Sequence, residues 1–194
     1  MSVIEADGEA LLQALKRLLA AKGLVTAEEI AERRRATDAA GPGQGARMVA
    51  RAWTDPDYRA LMLADGAKAA EALDIPMRGM PPLGVLENTE TVHHLIVCTL
   101  CSCYPRAVLG YPPYWYKSAA YRARAVRDPR GVLAEFGTIL PEGVGVRVVD
   151  STADYRWMVL PARPEGTEGW SAEQLAAIVS PGDMIGVTRP RLQG

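Results

Sequence analysis

The sequence predicts an α+β fold, in which a domain of mixed helices and strands follows a helical N-terminal arm. Three observations lead there. Leu11, Leu12, Leu15, Leu18 and Leu19 recur at helical spacing near the start. Gly41-Pro42-Gly43-Gln44-Gly45 then breaks that pattern. Beyond the break, short β-branched runs and helical stretches are mixed without the regular alternation that βαβ units impose. The break divides the chain of 194 residues into an arm, residues 1–45, and a domain, residues 46–194.

Residues 8–22 read as a helix that Gly23 stops. Thr26, followed by Glu28 and Glu29, supplies an N-cap and an acidic first turn for a second helix. That helix carries Arg33-Arg34-Arg35, a run read as a solvated face. The two helices have modest apolar faces and would make a poor domain alone, so the arm is expected to pack on another subunit. Residues 46–53 continue as a helix, and Asp55 caps the next one with Pro56 in its first position. Residues 66–73 are alanine-rich and helical, and 76–84, rich in Pro and Gly, read as loop. Residues 85–87 and 91–97 have strand character. Residues 114–127 and 129–136 read as helices, 144–149 and 156–160 as strands. Ser171, with Glu173 and Gln174, opens what reads as the last helix, and residues 184–188 read as a last strand.

Composition excludes several classes of function. Lys and Arg number 22 against 23 acidic residues, a net charge of −1, which argues against a nucleic-acid surface or a basic membrane patch. No apolar stretch approaches the roughly 20 residues that span a bilayer. Met1-Ser2-Val3-Ile4-Glu5-Ala6-Asp7 is acidic and lacks a signal-peptide core. A cytoplasmic protein is expected, with no nucleic-acid or membrane partner.

The chain's 3 cysteines are Cys98, Cys101 and Cys103. A secreted disulfide framework would more often be even in number and dispersed. Leu95-Ile96-Val97 leads into the cluster, and Tyr104-Pro105 is expected to halt regular structure after it. Three soft ligands on a tight loop at a strand end can grip one thiophilic ion. A closed structural zinc site wants about four ligands. His94 is the nearest candidate for a fourth and lies within the strand, so a site with an open coordination position is the more natural reading. Three buried thiols without metal are the bland alternative. His93 and His94 point to opposite strand faces and read as surface or subunit-contact residues. Tyr111, Tyr114, Trp115 and Tyr116 read as core or interface packing.

The run Val97-Cys98-Thr99-Leu100-Cys101-Ser102-Cys103-Tyr104-Pro105 resembles the metal-binding signature of the nitrile hydratase α subunit. Its close relative, the metal-binding subunit of thiocyanate hydrolase, shares that claw. The resemblance takes in residues 50–56, 87–89, 109–113, Trp115-Tyr116-Lys117-Ser118, Tyr121-Arg122-Ala123-Arg124 and 161–170. It implies a layered α/β/β/α domain with mixed sheets. It implies one low-spin trivalent ion per chain, Co(III), with Fe(III) as the alternative. Its ligands would be the sulfurs of Cys98, Cys101 and Cys103 and the deprotonated backbone amides of Ser102 and Cys103, with the sixth position left for water or substrate. Cys101 would be oxidised to sulfinic acid and Cys103 to sulfenic acid. Thr99 and Ser102 are small enough to let the backbone fold tightly round the ion, and Thr99 matches the cobalt type, where the iron type usually has serine. The implied reaction adds water across a C≡N bond to give an amide. The nucleophile is either a metal-activated hydroxide or the Cys103 sulfenate oxygen, and the sequence leaves both open. Catalytic roles therefore fall on Cys103, Cys101 and Ser102.

The resemblance also implies partners: a nitrile hydratase β subunit, as one chain or two shorter ones, a metal-loading activator protein, and a small nitrile. Two arginines that clamp the oxidised sulfurs would come from the β subunit. Arg156 matches an α-subunit arginine near the site; its bland reading is a surface ion pair. Arg106 and Ala107 stand where the family usually has tryptophan and proline. That exchange replaces an apolar wall with a cation and implies a polar, bulky or anionic substrate. It also keeps a thiocyanate hydrolase-like subunit as an alternative. The bland reading of Arg106 is a contact with the β partner. Near Arg78-Gly79-Met80-Pro81 the family typically carries a glutamine before this glycine, close to the pocket; the local alignment needs an extra residue, so that role is not carried over. A reading from another class is a non-catalytic thiolate metal carrier, which would keep its cysteines reduced.

Overall fold

The computed structural model describes residues 3–192; Met1 and Ser2, at the head of the acidic N-terminus, and the last two residues lie outside it. The chain divides into two compact units, Met1–Ala39 and Ala40–Gly194.

The first unit holds helices α1 (Val3–Ala21) and α2 (Ala27–Ala39). Gly23, at φ +65°, ends the first helix, with the Gly23 and Leu24 amides bonded back to Ala20 and Leu19. Thr26 opens the second as expected. Its hydroxyl accepts from the Glu29 N–H at 3.1 Å, and the Glu29 carboxylate accepts from the Thr26 N–H at 2.7 Å, a reciprocal capping box. Arg33, Arg34 and Arg35 are exposed. Leu11, Leu12, Leu15 and Leu18 are exposed too, so the apolar face of α1 finds no core within its own unit.

The second unit begins with α3 (Pro42–Thr54), α4 (Pro56–Ala64) and α5 (Gly66–Glu71). The glycine-rich stretch expected as a break is the first turn of α3. Gly45 is needed there, because a Cβ would lie 2.7 Å from Met184 Sδ and 3.0 Å from the Val108 carbonyl. Asp55 caps α4 as read from sequence, accepting from the amides of Asp57 and Tyr58. Strands β1 (Leu83–Glu87) and β2 (Val92–Val97) follow, β1 starting two residues before the expected 85. Short helix α6 (Arg106–Leu109) comes directly after Tyr104-Pro105. Pro105 thus starts a helix where an end to regular structure was expected. The helix expected over 114–127 is divided into α7 (Tyr114–Lys117) and α8 (Ala119–Arg127) by Ser118, whose hydroxyl caps α8 at the Tyr121 amide. Then come α9 (Pro129–Glu135), β3 (Gly145–Asp150), β4 (Arg156–Leu160), α10 (Ala172–Ala177) and α11 (Pro181–Ile185).

The last helix corrects an expectation. Residues 184–188 read as strand, yet Ser180 and Asp183 form a capping box around Pro181, and Gly186 closes α11 at φ +85°. The apolar run serves as the buried face of a short helix. The sheets are corrected as well. They are two parallel pairs, β1 with β4 and β2 with β3, in place of mixed sheets. Parallel partners need a long crossover, and the chain through α6–α9 supplies it. Leu95, Ile96, Met158 and Leu160 from the strands and Met48, Met62 and Met184 from the helices are fully buried in one core. No helix among the described residues is long and apolar enough to cross a membrane.

Candidate metal centre

Strand β2 delivers the cysteines. Val97 pairs with Asp150 at the end of β3, and the chain then leaves the ladder into the loop 98–103. Cys98 and Cys103 are buried and Cys101 is exposed at the loop's tip, beside Leu100 at 86% exposure. The sulfur of Cys101 lies 3.5 Å from that of Cys98 and 3.3 Å from that of Cys103. All three sulfurs fall within 4.8 Å of one another, close enough to ligate one ion. The Cys101 amide donates to Cys98 Sγ at 3.2 Å, which closes the loop on itself.

The thiols are not equivalent. Hydrogen bonds from Cys103 and then Cys98, with help from the Ser102 amide, lower the pKa of Cys101. Burial pushes Cys103 up to about 12, against the pull of the Arg156 charge. Without metal, Cys101 therefore gives up its proton more readily than Cys103.

The loop backbone is tied from several sides. Asp150 accepts from the Thr99 amide at 3.0 Å and also from the Thr99 hydroxyl. Tyr116 on α7 donates its hydroxyl to the Cys103 carbonyl at 2.8 Å. Tyr121 on α8 donates to the Ile96 carbonyl at 2.6 Å. Burial raises both phenol pKa values, so both remain donors at neutral pH. Arg122 donates from Nη1 to the carbonyls of Leu100, at 2.9 Å, and Thr99, at 3.3 Å. Asp150 and Arg122 escaped the sequence reading of the site. Tyr116 was read as packing. It packs edge-on against Tyr104, at 5.0 Å between ring centroids, while its hydroxyl holds the loop. The signal available in sequence was only the Tyr121-Arg122 pair within a resembling motif.

Arg156 opens β4, and its charge acts on Cys103. It makes no salt bridge among the described residues, so the surface ion pair is not its role. Its Nη1 is buried with no hydrogen-bond partner, and the same is true of Nε of Arg122. These two orphaned donors both belong to arginines beside the claw. A cluster of three thiols has donors to spare and too few acceptors for them. Anionic, oxygen-bearing sulfurs round a cation would reverse that shortage, so the residues present fit a thiolate-held metal with oxidised ligands.

Beside the claw lies a cavity of about 190 Å³. Met77, Met80, Leu83 and Tyr104 give it apolar walls, and Arg106 and Arg156 add two guanidinium groups. Arg106 is exposed and stacks over the Tyr111 ring, 4.2 Å from its centroid.

The two histidines require a correction. Neither is a surface residue: His93 is 3% exposed and His94 8%. Nε2 of His93 meets the Gly186 carbonyl at 2.7 Å, and only an N–H there makes the bond. Its Nδ1 is then the acceptor for Asn88 Nδ2 at 3.1 Å. Asn88 Oδ1 in turn accepts from the His94 amide at 2.7 Å. Burial lowers the pKa of both histidines. His93 ties β2 to the end of α11, His94 is held by Asn88, and both stand outside the cluster that can hold a metal.

Comparison with known proteins agrees with this geometry. The family model for the nitrile hydratase alpha chain matches residues 6–188. A low-molecular-weight cobalt-containing nitrile hydratase alpha subunit of Rhodococcus rhodochrous is 48% identical over 93% of this chain and 88% of its own. A solved recombinant thiocyanate hydrolase with partially modified cobalt centres superimposes with a TM-score of 0.86 at 44% identity, over 95% of this chain and 90% of that one. A double mutant of the Fe-type nitrile hydratase of Comamonas testosteroni Ni1 gives 0.83 at 44% identity, over 95% and 91%. With the claw formed in the fold that these relatives share, the chain belongs to the nitrile hydratase alpha-chain family.

Proposed function

We propose that this chain is the metal-holding subunit of a cobalt-type nitrile hydratase, converting a nitrile to its amide. The observation that carries the reading is the three-sulfur claw flanked by two arginines with unpartnered buried donors. Cys98, Cys101 and Cys103 hold one Co(III) through sulfur, with the backbone amides of Ser102 and Cys103 completing its protein ligands. When bound, such an ion supplies Lewis-acid polarisation of a nitrile and acidifies water. The chain's own residues do the rest. Cys101 carries sulfinic acid and Cys103 sulfenic acid, and Arg156 supplies a donor to the Cys103 oxygen. Arg106, with Met77 and Met80, walls the space in which the rest of the substrate sits. Thr99, held by Asp150, fixes the start of the loop.

The finer fold description, an α/β/β/α layering, belongs to the same reading, as does division of labour along the chain. The domain carries the catalysis, and the arm, with its exposed leucines, serves association with a β-type partner. A metal-loading activator is the expected supplier of cobalt. Cysteines without disulfides suit the cytoplasm. One feature favours a second reading: Arg106 beside Arg156 in the cavity suits an anion, as in thiocyanate hydrolysis.

Elemental analysis and intact-mass spectrometry of the complex test the proposal. The expected result is about one cobalt per chain, two oxygens on Cys101 and one on Cys103. Cys101→Ala and Cys103→Ala should each lose the inert metal. Stoichiometric zinc with no cobalt sinks the cobalt assignment. Reduced thiols that surrender metal to a chelator would establish a carrier instead.

A further inference from the structure

Four backbone carbonyls of residues 96–103 are gripped by side chains from a single stretch, α7–α8. Tyr121 takes Ile96, Arg122 takes both Thr99 and Leu100, and Tyr116 takes Cys103. Arg122 is the one charged member, and the one that reaches the peptides between the first two cysteines. We propose that Arg122 is a positioning residue of the metal claw, locking the Thr99–Leu100 half of the loop so that the Cys98 and Cys101 sulfurs face a common ion.

The geometry carries the argument. The Thr99 residue is held at both ends, its amide by the Asp150 carboxylate and its carbonyl by the Arg122 guanidinium. Opposite charges on opposite sides fix the orientation of that peptide segment more firmly than neutral partners would. With the Leu100 carbonyl drawn outward to Arg122 at 2.9 Å, the amide on the other side of the same peptide, that of Cys101, points inward to Cys98 Sγ at 3.2 Å. Peptide planarity couples the two, so releasing the carbonyl frees the amide as well. One nitrogen, Nη1, serves both adjacent carbonyls, while a third N–H of the same planar group, on Nε, is buried. That third donor has no partner, so an acceptor brought within its reach by loading would favour the loaded claw.

This inference rests on the proposed metal chemistry, and the test separates the two. Arg122→Met, Arg122→Lys and, as a control on the same helix, Arg124→Met are each produced with the β-type partner and cobalt. Arg124 pairs with Asp128 and Glu135 on the surface, away from the claw. Three quantities are read: the sulfur-to-cobalt charge-transfer absorption, the rate of cobalt release to EDTA, and kcat against KM. Arg122→Met is expected to shift the absorption, release cobalt at least about tenfold faster and lower kcat with little change in KM. Arg122→Lys, which keeps the charge and loses the fork, should fall between it and wild type, and Arg124→Met should match wild type. An Arg122→Met complex with wild-type absorption and release overturns the proposal. Should that variant fail to assemble, wild-type values in Arg122→Lys overturn it equally. A wild-type complex whose metal is itself exchangeable defeats the proposed function, while the ranking of release rates still decides the part played by Arg122.

Discussion

Gly186→Ala is the most demanding test of how the fold presents the claw. Gly186 ends α11 at φ +85°, and its neighbour across the packing is β2. A Cβ there would stand 1.9 Å from the His94 carbonyl oxygen and 3.0 Å from its carbon. That is well over an ångström short of ordinary contact, and the obstacle is backbone that cannot rotate away. The strand cannot retreat either, because Leu95, Ile96 and Val97 are fully buried and paired to β3. The left-handed conformation costs an L-residue about 1–2 kcal/mol. Forcing the backbones apart adds about 1–3 kcal/mol, as overpacking does. The lower entropy of the unfolded alanine chain opposes folding less, returning about 0.4–1 kcal/mol. The net loss is about 1–5 kcal/mol, a sizeable part of the roughly 5–15 kcal/mol that a domain commonly has. Urea unfolding followed by tryptophan fluorescence measures it, with cobalt content read on the same samples. Because β2 runs straight into Cys98, metal retention should fall along with stability. A loss below about 1 kcal/mol, against the strain terms just given, would show that α11 or β2 yields freely and that this contact does not set the strand.

Three further outcomes follow from the site and its supports. Arg106→Trp should raise kcat/KM for small apolar nitriles relative to polar heteroaromatic nitriles or thiocyanate by roughly tenfold or more at constant metal content; equal changes for both classes would assign Arg106 to an interface. Removing residues 1–39, a cut before α3 so that Gly45 stays in its helix, should weaken capture of the β-type partner and leave the claw able to load cobalt; normal pairing by the truncated chain would refute a role in association. Burial holds the His93 pKa below its ordinary value, so its contribution to stability is complete above about pH 6.5 and declines as pH falls towards the lowered folded value. The urea midpoint should therefore drop between pH 7.5 and 5.5, and less so in His93→Gln; parallel pH slopes would remove His93 from the explanation.

What could be read from sequence was local. The Asp55-Pro56 start of α4 and the Ser171–Gln174 capping box of α10 are encoded within four residues, and both formed. The bounds of β4 matched for the same reason. Cys98, Cys101 and Cys103 were legible because the chelating spacing lies in one loop. Failures came where distant packing decides. The run 184–188 has strand composition, yet Ser180, Pro181 and Gly186 set a helix whose apolar side the core accepts. Gly43 and Gly45 looked like a break, and Gly45 proved to be a point where α3 packs too closely for a side chain. Strand direction was invisible, since pairing depends on crossovers and not on composition. The same limit hid Asp150 and Arg122. They reach the claw across 51 and 23 positions of sequence, to Thr99, and no spacing rule connects them to cysteines. His93 and His94 read as surface or subunit-contact residues because neighbours on a strand face opposite ways and cannot both face a metal, whereas this strand is covered on both faces.

The support of the claw is uneven, and that unevenness bears on how it works. Within this chain, Asp150, Tyr116, Tyr121 and Arg122 tie down the claw's backbone. Its sulfur side is open at the tip, where Cys101 and Leu100 are exposed while Cys98 and Cys103 are buried, and Tyr111 and Tyr114 are exposed further along. A held backbone with one exposed cysteine suits the proposed ion, loaded onto the folded chain with a position kept free for substrate. The same openness leaves the site wet, and water weakens each electrostatic contact that the reaction uses. On the proposed chemistry, completing the site requires a surface that covers the sulfurs and brings further donors to their oxygens. This chain contributes Arg156 and Arg122 and no other orphaned buried donor among the described residues. A β-type partner is expected to supply the remainder, so the catalytic pocket is best regarded as the property of an interface that this subunit half prepares.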